Sequence, residues 1–193
     1  FKQIKVPRND GTGLADYLLS GTYIKSIKVD GANRKWVGTN DNGIYLISAD
    51  GLETIHHFTT ENSPLPSDCI ESIAINGKSG EVFIGTDKGM ASYMSDATRA
   101  EEKLDENNVY AYPNPVKADY SGVISIVGLT AGCNVKIVDS AGFLINEGTS
   151  QGGKYNWNGR NRRGEKVASG VYYVLTYDSN GDEGVATKIL ITR

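Results

Sequence analysis

A stretch of the chain repeats itself at an interval of 46 residues. Residues 24–31 (IKSIKVDG) align with residues 70–77 (IESIAING) position for position. After a slip of one residue, WVGT at 36–39 aligns with FIGT at 83–86. A repeat of about 40–45 residues that contains four short strands is typical of a β-propeller blade. This repeat therefore favours β-propeller blades as the fold of the first half of the chain.

Each copy of the repeat is predicted to form short strands joined by tight turns. Residues 24–29 have the alternation of period two that is typical of a β-strand. The dipeptides Asp30-Gly31 and Asn76-Gly77 follow the first strand of each copy and are turn signals. Further strands are predicted at 36–39, 43–47 and 54–59 in the first copy and at 82–86 and 89–94 in the second.

These residues resemble the regulator-propeller family, whose blades carry an I-x-S-I strand, a D/N-G turn and a W-[IV]-G-T strand. The step N-S-x-L-P-x-x-x-I, which leads into the next blade in that family, is matched by residues 62–70. Phe83 departs from the family, which prefers tryptophan at that position. The propeller motif in this chain consists of Trp36, Gly38, Thr39, Phe83, Gly85 and Thr86.

About two blades are present, whereas a propeller typically needs four or more to close. We therefore expect residues 1–96 to be the C-terminal blades of a longer β-propeller, with 1–6 as the last strand of an earlier blade. Such a fragment would expose sheet edges and apolar faces, so we expect it to self-associate through its blade edges. Residues 97–107, rich in charged side chains, are predicted to be a linker, helical or not.

The second half of the chain, 108–193, has short apolar runs separated by turn signals at intervals of roughly 8–12 residues, a pattern that favours an Ig-like β-sandwich. The whole chain is thus predicted to be all-β, a partial propeller followed by a sandwich. Asn180-Gly181 is predicted to join the last two strands as a hairpin. The strands are predicted at 123–127, 134–138, 143–147, 154–157, 171–177 and 184–192.

This half resembles FlgD-like Ig domains and the C-terminal sorting domains of type IX secretion. The resemblance implies a folded export signal or docking module at the end of a surface protein. The order of the two halves resembles PorZ-type surface proteins of Bacteroidetes, which implies an extracytoplasmic location, at the outer membrane surface or in the periplasm. The sorting-domain motif consists of Tyr112, Pro113, Asn114, Pro115, Gly142, Trp157, Gly159, Gly164, Gly170, Tyr172 and Lys188.

The sequence contains no recognisable catalytic motif, and we expect no enzymatic activity, metal or cofactor. A net charge of −3 argues against a nucleic-acid partner, and no apolar run is long enough to span a membrane. Trp36, Phe83 and Trp157 are predicted to be core anchors, and Cys69 and Cys133 to be buried.

Two polar sequences are candidate metal sites. Adjacent strand residues such as His56 and His57 point to opposite faces, so they are poorly placed to share a metal ion. Residues 178–182 (DSNGD) resemble the start of a calcium loop but lack glycine at its sixth position. Both are interpreted as ordinary structural elements.

Arg160, Arg162 and Arg163 lie close together in the sequence and are the candidate contacts for an anion or an anionic glycan. The predicted function is that of a non-enzymatic surface protein whose terminal sandwich acts in type IX secretion or in docking, with a secretion-apparatus protein, a surface protein or a glycan as partner. Two alternatives stay open: a glycan-binding, ligand-binding or sensor propeller module, and an accessory region of a larger secreted enzyme. Sensor relatives continue into a membrane span and a kinase, so the sensor alternative ranks lower.

Overall fold

The computed structural model describes residues 1–8, 11–105, 107–177 and 183–192. All regular elements among these residues are β-strands, which confirms the all-β prediction, and no sheet closes into a barrel. Two compact units are present, Phe1–Ser95 and Asp96–Arg193. In the described part of the chain there is no helix that could cross a membrane.

The N-terminal unit contains nine strands in three antiparallel sheets. A hairpin of β1 and β2 comes first, followed by a sheet in the order β3-β4-β5-β6 and one in the order β7-β8-β9. The strands are β1 Lys5–Pro7, β2 Ala15–Tyr17, β3 Ile24–Val29, β4 Lys35–Thr39, β5 Ile44–Ile47, β6 Thr54–Phe58, β7 Ile70–Ile75, β8 Glu81–Thr86 and β9 Gly89–Met94.

The sequence repeat is reproduced in the strand register. Ile27 pairs with Val37 in the first sheet, and Ile73 pairs with Ile84 in the second. Each first strand has a bulge at the same place, between the isoleucine that begins the I-x-S-I motif and its serine. The strands of the four-stranded sheet follow one another in sequence order, β3-β4-β5-β6.

The two larger sheets of this unit share one hydrophobic core. Trp36 has no exposed surface, and its ring lies 5.7 Å from that of Tyr93. Gly38 is required by close approach, because a Cβ atom there would lie 2.5 Å from Cγ2 of Ile70. The buried members of this core are Trp36, Ile44, Leu46, Leu65, Ile70, Ile73, Val82 and Ile84.

The C-terminal unit contains two antiparallel sheets, in the orders β10-β11-β14 and β13-β12-β15-β16. Alternate residues of both sheets point into one shared core, which includes Ile126 and Trp157 from the first and Val135, Val174 and Ile189 from the second. Two sheets over one core form a sandwich. The strands are β10 Tyr110–Tyr112, β11 Ile124–Val127, β12 Asn134–Val138, β13 Leu144–Thr149, β14 Lys154–Trp157, β15 Gly170–Tyr177 and β16 Glu183–Ile191.

The segment predicted as a linker, 97–107, begins with backbone pairing to the C-terminal unit. Thr98 and Glu101 form isolated bridges with Gly152 and Thr130, and Ala97 is buried. Residues 97–105 form no helix. The predicted hairpin at Asn180-Gly181 lies outside the described residues.

Two burial predictions were wrong. Phe83 is only partly buried, because it lies on the face of its sheet opposite Ile73 and Ile84, which pack in the shared core. Cys69 is also only partly buried, since it lies beside the charged pair Lys25 and Glu71. Trp36, Trp157 and Cys133 are buried as predicted.

Candidate functional site

The sorting-domain motif begins with a proline-rich segment that is fastened to the last strand. Pro113 and Pro115 have no N–H to donate to a sheet. The Asn114 side chain replaces those bonds: its Nδ2 donates to the Lys188 carbonyl over 2.8 Å, and its Oδ1 accepts from the Leu190 N–H over 2.9 Å. Asn114 thereby positions the segment from Tyr112 onward along β16.

Other motif residues stabilise turns and the core. Gly142, Gly159 and Gly164 have φ values of +85°, +67° and +82°, a region that favours glycine. Trp157 donates from Nε1 to the Arg160 carbonyl over 2.8 Å, and Tyr172 donates its hydroxyl proton to the Ala168 carbonyl over 2.9 Å. These residues therefore have structural roles in the turns and the core.

Two large motif side chains, Tyr112 and Lys188, are exposed, one on each sheet of the sandwich. Tyr112 is exposed, and its ring lies 6.1 Å from that of the exposed Tyr110. Lys188 is also exposed, and its Nζ lies 5.6 Å from the centre of the Tyr173 ring. Exposed tyrosine rings are enriched in protein interfaces, so Tyr110 and Tyr112 are candidate contacts for another protein.

The three arginines of the candidate anion site do not converge. Arg160 donates from Nη1 to the Gly164 carbonyl over 2.6 Å, within its own loop. Arg162 Nη1 lies 3.7 Å from Oε1 of Glu147, and this carboxylate partly offsets the charge of the arginine. Among the described residues, the Arg163 side chain has no hydrogen-bond or ion-pair partner. Of the three, Arg160 lines a pocket.

That pocket brings together cations that are far apart in the sequence. Lys117, Arg160 and Lys166 line a cavity of about 310 Å³, together with Tyr120 and Asn158. Arg160 and Lys166 lie side by side, because their backbones form an antiparallel bridge. No carboxylate occurs among the described residues that line it, so this cavity suits an anionic group better than the predicted arginine cluster does.

The propeller-motif residues of the N-terminal unit shape its turns and core. Thr39 donates from Oγ1 to the Gly43 carbonyl, and Thr86 donates to the Gly89 carbonyl, both over 2.8 Å. The matching bonds show that the threonine closes the same turn in each repeat. Gly85 lies close to Ser72, since a Cβ atom there would be 2.5 Å from Oγ of that serine.

The histidines are engaged in separate contacts. His57 stacks on Tyr45 with ring centres 3.9 Å apart, and its Nε2 lies 2.8 Å from the Asn42 carbonyl oxygen. His56 instead lies against Phe58 at 5.3 Å. Among the described residues, no three His, Cys, Asp or Glu side chains are grouped so that they could hold a metal ion. The calcium-like residues 178–182 lie outside the described part of the chain.

Cys69 is the more accessible thiol, and its surroundings weaken it as a nucleophile. Its Sγ lies 3.5 Å from Lys25 Nζ and 3.4 Å from Glu71 Oε1. Burial raises the pKa of the Cys69 thiol, and the hydrogen bond to Glu71 raises it further. The hydrogen bond from Lys25 lowers the pKa of Glu71. A thiol with a raised pKa is a weak nucleophile at neutral pH, because the thiolate is the reactive form.

Comparison with solved structures gives a likeness that extends over the whole chain. No protein-family model and no curated protein matches the chain. PorZ, an essential surface component of the type IX secretion system of Porphyromonas gingivalis, is 35% identical over 100% of this chain, with a TM-score of 0.62. The chain spans 25% of the length of PorZ.

Other solved structures resemble the chain more distantly. The extracellular domain of a putative hybrid two-component system, BT4673 of B. thetaiotaomicron, is 16% identical, with a TM-score of 0.33, over 96% of this chain and 27% of its own. Dimeric latent PorU of P. gingivalis is also 16% identical, with a TM-score of 0.34, over 58% of this chain and 12% of its own.

Proposed function

We propose that the chain is part of a non-enzymatic surface protein that works with a type IX secretion apparatus, and that residues 108–193 act as its export or docking element. The likeness to PorZ over the whole chain, at 35% identity, supports this proposal most strongly. The location would be extracytoplasmic, at the outer membrane surface or in the periplasm. The terminal sandwich would present its exposed side chains, among them Tyr112 and Lys188, to a protein of the apparatus.

The absence of an enzymatic role is part of the same proposal. Motif residues such as Asn114 and Trp157 are used in structural hydrogen bonds. The accessible thiol of Cys69 has a raised pKa, which disfavours its use as a nucleophile. These contacts support a protein that offers binding surfaces.

Deletion of 108–193 should abolish surface display of the protein. The experiment uses a Bacteroidetes host with an active type IX system and a secretory leader, and measures the fraction of protein that external protease removes from intact cells. Deletion of 1–95 is the reciprocal control and should leave the remaining protein on the surface. Normal display without 108–193 would contradict the proposed role.

A second candidate function is the binding of an anionic glycan, and the cavity lined by Lys117, Arg160 and Lys166 favours it. Three cations around about 310 Å³ could hold a carboxylate or phosphate of a sugar. Because the cavity opens to solvent, its attraction for anions would weaken as salt increases.

Substitution of two of these cations should weaken glycan binding. Lys117→Ala with Lys166→Ala should lower the affinity for polygalacturonate by at least about tenfold, since it removes two charge-assisted hydrogen bonds. Isothermal titration calorimetry at low salt would measure this, with neutral methyl-esterified polygalacturonate as the ligand control. The pair Arg162→Ala and Arg163→Ala is the matched control and should leave the affinity unchanged. Equal losses in both double variants would exclude the cavity as the site.

A further inference from the structure

Three ionisable side chains of the N-terminal unit meet between its two larger sheets. Lys25 lies on β3, Glu71 lies on β7, and Cys69 directly precedes β7. Lys25 and Glu71 occupy the same position in the two copies of the repeat, 46 residues apart. We call Lys25, Cys69 and Glu71 the Lys–Cys–Glu cluster.

The contacts of this cluster form a closed triangle. Lys25 Nζ lies 3.5 Å from Cys69 Sγ and donates a hydrogen bond to the Glu71 carboxylate. The Cys69 thiol donates to the same carboxylate, with 3.4 Å between Sγ and Oε1. The amine nitrogen and the sulfur are therefore neighbours, and one oxygen atom between them would join them covalently.

The backbone of Cys69 is held on both sides. Its N–H donates to Ser67 Oγ over 3.2 Å, and its carbonyl accepts from the Asp87 N–H over 3.3 Å. The first repeat contains the matching bond, from the Asn40 N–H to the Tyr23 carbonyl over 2.9 Å. The sulfur is thus positioned by a backbone contact that belongs to the repeat itself.

The cluster is open to small molecules in solvent. The side chains of Lys25 and Glu71 are 23% and 48% exposed, and Cys69 is partly buried. Cys133, in contrast, is fully buried in the C-terminal core. A sulfenic acid formed at Cys69 therefore has the Lys25 amine as its neighbour, and not a second thiol.

We propose that hydrogen peroxide joins Lys25 to Cys69 through an N–O–S bridge. In the first step, one peroxide molecule oxidises the thiol to a sulfenic acid and releases water. In the second step, the sulfenic O–H bond and one N–H bond of the neutral amine break and the O–N bond forms. A second peroxide molecule takes up those two electrons and leaves as two molecules of water. The Glu71 carboxylate accepts the proton that the Lys25 ammonium must first release.

The bridge makes the contact between the two repeats depend on oxidation. It closes a loop from Lys25 to Cys69 that contains strands β4, β5 and β6. A cross-link of this kind restricts the unfolded chain and so stabilises the folded unit. This inference is independent of the proposed role in export, since it rests on contacts within the N-terminal unit.

The rate of bridge formation should rise with pH. The hydrogen bond to Glu71 raises the pKa of Lys25, while burial, Glu71 and Asp87 raise the pKa of Cys69 against the opposing effect of Lys25. Both groups are therefore protonated at neutral pH, whereas the thiolate and the neutral amine are the reactive forms. We expect a rate at least about tenfold higher at about pH 9 than at about pH 7. A rate that stays constant with pH would contradict a bridge formed by these two groups.

Mass spectrometry of the full chain, before and after treatment with hydrogen peroxide, tests the proposal. The bridge adds one oxygen and removes two hydrogens, a gain of about 14 Da, whereas sulfur acids gain about 16 Da for each oxygen. Peptide mapping should find the peptides of Lys25 and Cys69 joined, and excess dithiothreitol should separate them.

Two variants make the test specific. Lys25→Arg keeps a positive charge beside Glu71 but removes the amine, so it should form sulfur acids and no bridge. Lys28→Arg, at an exposed position of the same strand, is the matched control and should form the bridge like the wild type. A wild-type chain that gains only the mass of sulfur acids, or a Lys25→Arg chain with the mass gain of the bridge, would overturn the proposal.

Discussion

Replacement of Asp30 by alanine should lower the free energy of unfolding of the N-terminal unit by about 3–5 kcal/mol, because it leaves a charged partner buried. The Asp30 and Arg34 side chains are only 1% and 6% exposed, and Arg34 Nε lies 2.8 Å from the Asp30 carboxylate. The carboxylate also accepts hydrogen bonds from the Ala32 and Arg34 backbone N–H groups. Loss of Asp30 therefore removes the turn's acceptor together with the counter-charge.

The two tryptophans allow this prediction to be measured in the whole chain, since one lies in each unit. In a Trp157→Phe background, the fluorescence of Trp36 reports the N-terminal unit alone during urea unfolding. Arg34→Met added to Asp30→Ala should recover part of the loss, because it removes the buried charge, whereas the Ala32 and Arg34 N–H groups still lack their acceptor.

A matched control is the exposed pair of Arg8 and Asp16, whose side chains are 44% and 59% exposed. Asp16→Ala should leave the unfolding midpoint unchanged, since exposed ion pairs contribute little. If Asp30→Ala shifted the midpoint no more than Asp16→Ala, the buried pair would not stabilise the unit.

The repeat was the most informative feature of the sequence. Its two copies carry the same motifs in the same order, so their strands are expected to pair in the same way. The equivalent registers of Ile27 with Val37 and of Ile73 with Ile84 follow directly from the aligned motifs. Burial was harder to predict. Phe83 aligns with Trp36 but is partly exposed, because the second sheet contributes its other face, with Ile73 and Ile84, to the shared core.

The candidate anion site could be predicted only in part. Arg160, Arg162 and Arg163 were grouped by their closeness in the sequence, whereas Arg162 pairs with Glu147 on β13. Lys117 reaches the cavity of Arg160 through the packing of the sandwich, which a single sequence does not reveal. The role of Asn114 was missed for a related reason. Two prolines indicated an extended segment, but only the structure shows that the asparagine between them bonds to β16.

The largest effect is expected when the C-terminal unit is transferred to another protein. A periplasmic passenger that carries residues 96–193 at its C-terminus should reach the cell surface, where it normally never appears. The fused segment contains both sheets of the sandwich and the core that they share. It also includes Thr98 and Glu101, which form bridges with this unit.

Surface exposure of that passenger, in two otherwise identical Bacteroidetes hosts with and without a working type IX apparatus, tests the central claim most directly. The readout is the fraction of passenger that external protease digests on intact cells. We expect digestion only in the host that has the apparatus. A passenger that stays protected in both hosts, or that is digested equally in both, would contradict an export role for the C-terminal unit.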